Sequence, residues 1–264
     1  MKDVPVPDSN RLSKMVDADL VSDAHEIALQ TGRITRGVVR VGDTVRRPAK
    51  ESSPFVAELL RFLEARGVSW APRYLGQDDA GRDVLSYLPG CVPAKWRQFG
   101  DDQLSAAAVI LRALHDATSG SRLAPGSVVC HHDPGPNNFV FRGDLPVALI
   151  DFDTAAPGSA LEDLGYMAWS WCLSSSPLRQ DVLLQTRQVR TLAEAYGASV
   201  ADRAQLPEAI VERSRRNVSF WAQQMASPGD ALTAPEKLPE FVAWSERELQ
   251  YVQAHAAELA AALR

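Results

Sequence analysis

The densest group of chemically capable side chains lies in His131-His132-Asp133-Pro134-Gly135-Pro136-Asn137-Asn138. Thirteen residues beyond Asn138 comes a second acidic run, Ile150-Asp151-Phe152-Asp153. Two carboxylates and one amide oxygen are hard oxygen donors of the kind Mg²⁺ prefers, with water and phosphate oxygens completing the shell. A carboxylate left off the metal can orient an attacking hydroxyl and accept its proton. Singly, Asp133 and Asn138 are ordinary turn residues. Their spacing of five, with another aspartate on a following apolar strand, is what points to chemistry.

Such a cluster needs a rigid support. Gly135 and its flanking prolines cannot continue a helix or strand, so Asn138 follows a fixed loop. The apolar runs Phe139-Val140-Phe141 and Val147 to Ile150 predict two short strands that bring Asp133, Asn138 and Asp151 to one end of a hairpin. Upstream, Val38 to Val41 and Thr44 to Arg47 flank Gly42-Asp43, a tight hairpin signal. A helix is predicted next, with Ser53 as N-cap, Pro54 at its first position, Gly67 beyond its end and Val56, Leu59, Leu60 and Leu63 on one face. Further strands are expected at Ala71 to Leu75 and Asp83 to Leu88. After the Leu88-Pro89-Gly90 break the periodicity turns helical, at Leu104 to Leu114, Leu161 to Trp171, Leu178 to Tyr196, Pro207 to Met225 and Pro239 to Leu263. The class is α+β and bilobal, a small β-rich lobe over 1–88 and a larger, mainly helical lobe over 89–264.

The pattern His131-x-Asp133-x-x-x-x-Asn138 followed by Ile150-Asp151-Phe152-Asp153 resembles the catalytic and metal-binding loops of aminoglycoside phosphotransferases. These are relatives of choline kinases and, more distantly, of protein kinases. Leu114-His115, Pro157-Gly158 and Asp163-Leu164-Gly165 extend the likeness, which covers roughly residues 31 to 172. The resemblance implies a protein-kinase-like fold, Asp133 as catalytic base, Asn138 and Asp151 as metal ligands, and Mg²⁺ with ATP or GTP as co-substrate. It also implies that His131 holds the loop and that Asp163 braces its backbone. His132 receives no role. Asp153 either assists a metal or caps loop amides.

A kinase-like site needs a cation on the phosphates and a carboxylate to fix it. Relatives often carry lysine on the third strand, where this chain has Val45-Arg46-Arg47. Strand alternation puts Val45 and Arg47 on one face, so Arg47 is the expected phosphate anchor, with Glu58 as its partner. Ser86 to Leu88 falls where kinase hinges bind the base, which makes Ser86 and Leu88 the nucleotide contacts on that side. Gly32 and Gly37, with Arg33 and Arg36, offer a loose phosphate-covering loop, and no P-loop pattern is present.

The acceptor is expected between the catalytic loop and the C-terminal helices. There Trp169, Trp171, Phe220, Trp221, Trp244 and Tyr251 read as core, and Glu208, Glu212, Glu240, Glu246 and Glu248 alternate with arginines like a solvated face. Nothing in that pattern singles out an aminoglycoside; a small hydroxylated antibiotic or metabolite is the reach of the reading. A net charge of -5 argues against nucleic-acid or anionic-membrane partners. The polar N-terminus, the lack of a long apolar run and three scattered cysteines predict a cytoplasmic protein. Two other readings stand beside the phosphotransferase. One is a non-catalytic kinase-like binding or regulatory protein, suggested by the missing glycine motif and by Arg47. The other is a metal-dependent hydrolase using His131, His132, Asp133 and Asp151, which the shortage of histidines disfavours.

Overall fold

A computed structural model describes residues 26–29, 37–93, 97–179, 181–227 and 234–264. The expected loop of Thr31 to Arg36 lies outside these residues. The N-terminal portion is a five-stranded antiparallel sheet in the order β1-β2-β3-β5-β4, formed by Ile27–Ala28, Val39–Val41, Thr44–Pro48, Arg82–Ser86 and Tyr74–Gln77 respectively. The Gly42-Asp43 turn closes β2 onto β3 with Val41 opposite Thr44, and Gly42 takes the φ of +58° that the turn requires.

Helix α1 (Ser53–Glu64) buries Val56, Leu59, Leu60 and Leu63, the predicted face. Its start differs from expectation by one residue. Ser52 is the N-cap, because the Ser53 hydroxyl is used elsewhere: it accepts from the Lys50 amide at 2.9 Å and donates to Asp83. Strands β4 and β5 occupy Tyr74–Gln77 and Arg82–Ser86 rather than the windows predicted from apolar runs. Pairing with β3, in which Arg47 faces Asp83, sets those limits.

Beyond Ser86 the chain crosses into the helical portion, and Cys91 and Phe141 exchange backbone hydrogen bonds of 2.9 and 2.7 Å. Helix α2 (Asp101–Thr118) runs through the core with Leu104, Leu111 and Leu114 fully buried. Two ribbons lie against it, β6 (Val128–Cys130) with β9 (Ala156–Gly158) and β7 (Phe139–Arg142) with β8 (Leu145–Leu149). Helices α3 (Ala160–Cys172), α4 (Val182–Tyr196), α5 (Val200–Ala226), α6 (Leu238–Ala254) and α7 (Ala256–Ala262) complete it.

The helix limits also depart from the periodicity. Residues 173–179 form a loop instead of the first turns of α4, whose N-cap is Asp181. Pro207 does not start α5. The Ser199–Asp202 capping box starts it two turns earlier, and Pro207 lies inside. The last predicted helix breaks at His255 into α6 and α7. Among the described residues no helix is long and apolar enough to cross a membrane.

Candidate active site

The β7–β8 ribbon and the loop before it assemble the candidate residues. Phe139 pairs with Leu149, and the Ile150 amide donates to the Asn138 carbonyl at 2.8 Å, so Asn138 and Asp151 stand side by side at the ribbon's end. The Asn138 side-chain amide donates to the Asp133 carbonyl at 2.8 Å and to its Oδ2 at 2.9 Å. A second donor to the Asp133 carboxylate was not foreseen: the Tyr166 hydroxyl, from α3, donates to Oδ1. Tyr166 is buried, and burial, with the Asp133 charge, holds its phenol well above the usual range, so it stays a donor.

The loop carrying Asp133 is braced from below. Asp163, fully buried on α3, accepts from the amides of His131 at 2.6 Å and His132 at 2.7 Å, and meets His115 Nε2 at 3.0 Å. Burial alone would raise the Asp163 carboxyl; the His115 contact, together with His131, outweighs it and holds the pKa below the ordinary value. His131 packs its ring on Phe152, donates from Nε2 to the Ile150 carbonyl at 3.0 Å and receives the Asp133 amide on Nδ1 at 3.3 Å. Both of its nitrogens are thus occupied in holding the loop, which leaves neither for a metal. His132 sits at a φ of 64° and binds the Thr154 carbonyl through Nδ1 at 3.0 Å.

Asp151 is also in the left-handed region, with φ 64° and ψ 62°. Its side chain is 46% exposed and lies 3.8 Å from Arg47 Nη1. The surrounding protein desolvates this carboxyl and, with the like charge of Asp153, pushes its pKa up, against the pull of His131 and Arg47. Left-handed backbone at a non-glycine residue costs energy that the neighbouring structure must supply.

The predicted Arg47–Glu58 pair is not formed. Glu58 lies on the exposed side of α1 and pairs with Arg122, because the helix rotation that buries Val56 and Leu59 carries residue 58 away from the sheet. Arg47 is buried and pairs with Asp153, while the fully buried Asp83 lies 3.8 Å from its Nε. Asp83 is itself held by Ser53, by Tyr74 at 3.1 Å and by Gln77 at 3.3 Å. It therefore fills the place expected of Glu58. Its only sequence signal was the alternation of β5, which puts it opposite Arg47. Lys50, just before α1, also pairs with Asp153. Asp153 thus neither caps loop amides nor stands apart; it ties two cations of the sheet side to the acidic cluster.

On the hinge side, the Ser86 amide and hydroxyl are both engaged with the Arg73 backbone at 2.9 Å. The Leu88 backbone has no hydrogen-bond partner among the described residues.

The chain is similar to known proteins in sequence and in fold. The trifolitoxin immunity protein of Rhizobium leguminosarum bv. trifolii is 31% identical over 266 residues, spanning 90% of this chain and 98% of its own. Residues 119–209, which hold the loop, both ribbons and α3, match the model of the APH phosphotransferase enzyme family. The chain belongs to that family. Solved structures with the same fold include a choline/ethanolamine kinase family protein from Mesorhizobium loti, at 17% identity and TM-score 0.61 over 97% of this chain and 98% of that one. Spectinomycin phosphotransferase in complex with ADP and spectinomycin matches at 11% identity and TM-score 0.64, over 89% and 93%. The fold of this family member is accordingly protein-kinase-like, a sheet-bearing N-terminal portion on a mainly helical C-terminal one, as the sequence predicts.

Proposed function

We propose that the protein moves the γ-phosphoryl group of ATP or GTP to a hydroxyl of a small molecule, with residues 1–88 as the nucleotide lobe and 89–264 carrying catalysis and acceptor. One observation carries the reading: Asn138 binds Asp133 and stands beside Asp151 at the end of the β7–β8 ribbon, and Asp151 lies 3.8 Å from Arg47 of the sheet. Asp133, oriented by Tyr166 and Asn138, aligns the acceptor hydroxyl and takes its proton. Arg47 and Lys50 would meet the nucleotide phosphates, and the Leu88 backbone, without a hydrogen-bond partner among the described residues, suits the base.

The residues present fit Mg²⁺. Burial first, and then the like charges of Asp153 and Asp133, push the Asp151 carboxyl up, and a divalent cation there offsets that like-charge repulsion. Asn138 and Asp151 would hold the ion, which when bound supplies charge neutralisation on the phosphates.

The test is Mg²⁺-dependent consumption of ATP and GTP, separately, against hydroxylated antibiotics and small alcohols. Turnover that requires one acceptor and disappears in Asp133→Ala is the expected result. Absence of both turnover and nucleotide binding would sink the proposal. A non-catalytic binding role has one observation in its favour, since Arg47 is tied to Asp153 rather than open to solvent. Nucleotide binding without turnover across a broad acceptor panel is its signature.

A further inference from the structure

Besides the catalytic cleft, the helical portion contains a cavity of about 910 Å³ between the C-terminal half of α3, the 173–179 loop and α6. Its apolar wall is Trp169, Leu173, Trp244 and Tyr251, with Trp169 and Trp244 stacked at 5.8 Å and 27°. Trp169 also packs edge-on against Tyr166 at 5.7 Å, and Tyr166 holds Asp133. On α3, residue 169 lies one turn from residue 166, about 4.5 Å along the axis. The wall of this cavity is therefore a helical turn away from the side chain that touches the candidate base.

The polar lining has a clear sign. Two arginines, Arg179 and Arg247, face one carboxylate, Glu248, giving the described lining a formal net charge of +1. Glu248 is nearly fully buried and already engaged: it accepts from the Ser175 hydroxyl at 2.6 Å and from the Ser175 amide at 3.1 Å, which straps the 173–179 loop to α6. Burial also pushes its carboxyl up, against those hydrogen bonds. Arg179 is spent on the backbone carbonyls of Arg97, Trp171 and Cys172. Arg247, at the exposed rim, is the charge best placed to meet a ligand.

A sugar bearing several ammonium groups needs several carboxylates, and this lining offers one, already bound to Ser175. An apolar ring face, by contrast, finds the half-buried Trp244 and Tyr251, with the buried Trp169 packed behind Trp244. We propose that this cavity takes the acceptor, a neutral or singly anionic hydroxylated amphiphile with an apolar ring face on Trp244 and Tyr251, and that it excludes polycationic aminoglycoside-type sugars. This rests on the phosphotransferase reading for the word acceptor, and on the cavity alone for the ligand class.

The experiment is calorimetric titration of the full chain, without nucleotide, by four probes. These are 2-naphthyl β-glucoside, 2-naphthyl β-glucuronide, the matching 2-naphthyl glucosaminide, and kanamycin. The glucoside and glucuronide are expected to bind, with kanamycin at least about tenfold weaker, a gap of ~1.4 kcal/mol. Trp244→Ala should weaken the glucoside by about tenfold. Arg247→Glu, a change at the exposed rim that does not touch the core, should reverse the preference between glucuronide and glucosaminide, each shifting by about fivefold. Kanamycin binding as tightly as the glucoside, no binding by any naphthyl probe, or an unchanged preference in Arg247→Glu would overturn the ligand class. ATP binding with Mg²⁺, measured in parallel, separates the two readings. Nucleotide binding without probe binding removes this inference and leaves the phosphotransferase. Probe binding without nucleotide binding or turnover leaves the cavity's specificity and removes its role in phosphoryl transfer.

Discussion

Three cations and their carboxylate partners divide the labour at the residue scale. Arg47 is enclosed by Asp83 and Asp153, so Arg47→Ala leaves buried carboxylates uncompensated and should cost about 3 kcal/mol in urea unfolding. Lys50 is one-third exposed, and its loss should cost under about 1 kcal/mol while weakening ATP binding several-fold. Glu58 belongs to a surface pair with Arg122, so Glu58→Ala is expected to change neither stability nor nucleotide affinity measurably. Nucleotide titration of these three variants distinguishes the assignments. Tyr166→Phe removes one of the two donors that orient Asp133. Turnover should fall by about tenfold with ATP affinity unchanged, about the ~1.4 kcal/mol expected of a hydrogen bond to a charged acceptor. Unchanged turnover would mean that Asn138 alone orients the carboxylate.

Among the elements, α3 does more than any other to position the site. Within three turns it presents Asp163 to the loop amides, Tyr166 to Asp133, Trp169 to the cavity and the Trp171 indole N–H to the Pro134 carbonyl at 2.9 Å. Such precision requires α3 to lie close on α5. At Gly165 an added Cβ would come within 2.9 Å of the Ala209 backbone. Gly165→Ala should therefore push the two helices apart and destabilise by about 1–3 kcal/mol, with a loss of turnover larger than the stability change alone explains. Gly90 has the corresponding role in the linker. At φ +152° its Cβ would overlap the Phe141 carbonyl, where Cys91 pairs with β7. Only glycine lets the linker pass this close to the ribbon that carries Asn138.

For the whole molecule, a ligand bridging sheet and helical core stabilises the native state by mass action. ATP with Mg²⁺ should therefore raise the melting temperature, and Asp151→Ala should abolish the increase while the protein remains folded. The Glu248 strap gives stability a pH dependence of definite sign. Its carboxyl titrates higher in the folded protein than its ordinary value of 4.5, so folding favours the protonated form. That contribution is full below about pH 4.5 and declines as pH rises through the raised value. Glu248→Gln keeps an acceptor for Ser175 without the buried charge. It should melt higher than wild type at pH 7, and the difference should vanish near pH 4.

Linear spacing was enough to bring Asp133, Asn138 and Asp151 to one end of a β-ribbon and for the α+β class, while the family came from the likeness of that motif to aminoglycoside phosphotransferases. Those features depend on local chain chemistry: proline and glycine stop the loop, and apolar runs make the strands. Helix ends were read less well at Ser52, Val200 and His255, where side-chain caps and tertiary contacts compete with periodicity. The partner of Arg47, the donors to Asp133 and the charge of the cavity were decided only in three dimensions. Asp83 reaches Arg47 through a cross-strand register, Tyr166 reaches Asp133 across 33 residues, and Arg179 and Glu248 face one cavity from different elements. Each of these depends on how elements rotate and dock, and an alternating or helical pattern constrains which face of an element is buried without specifying what it is buried against.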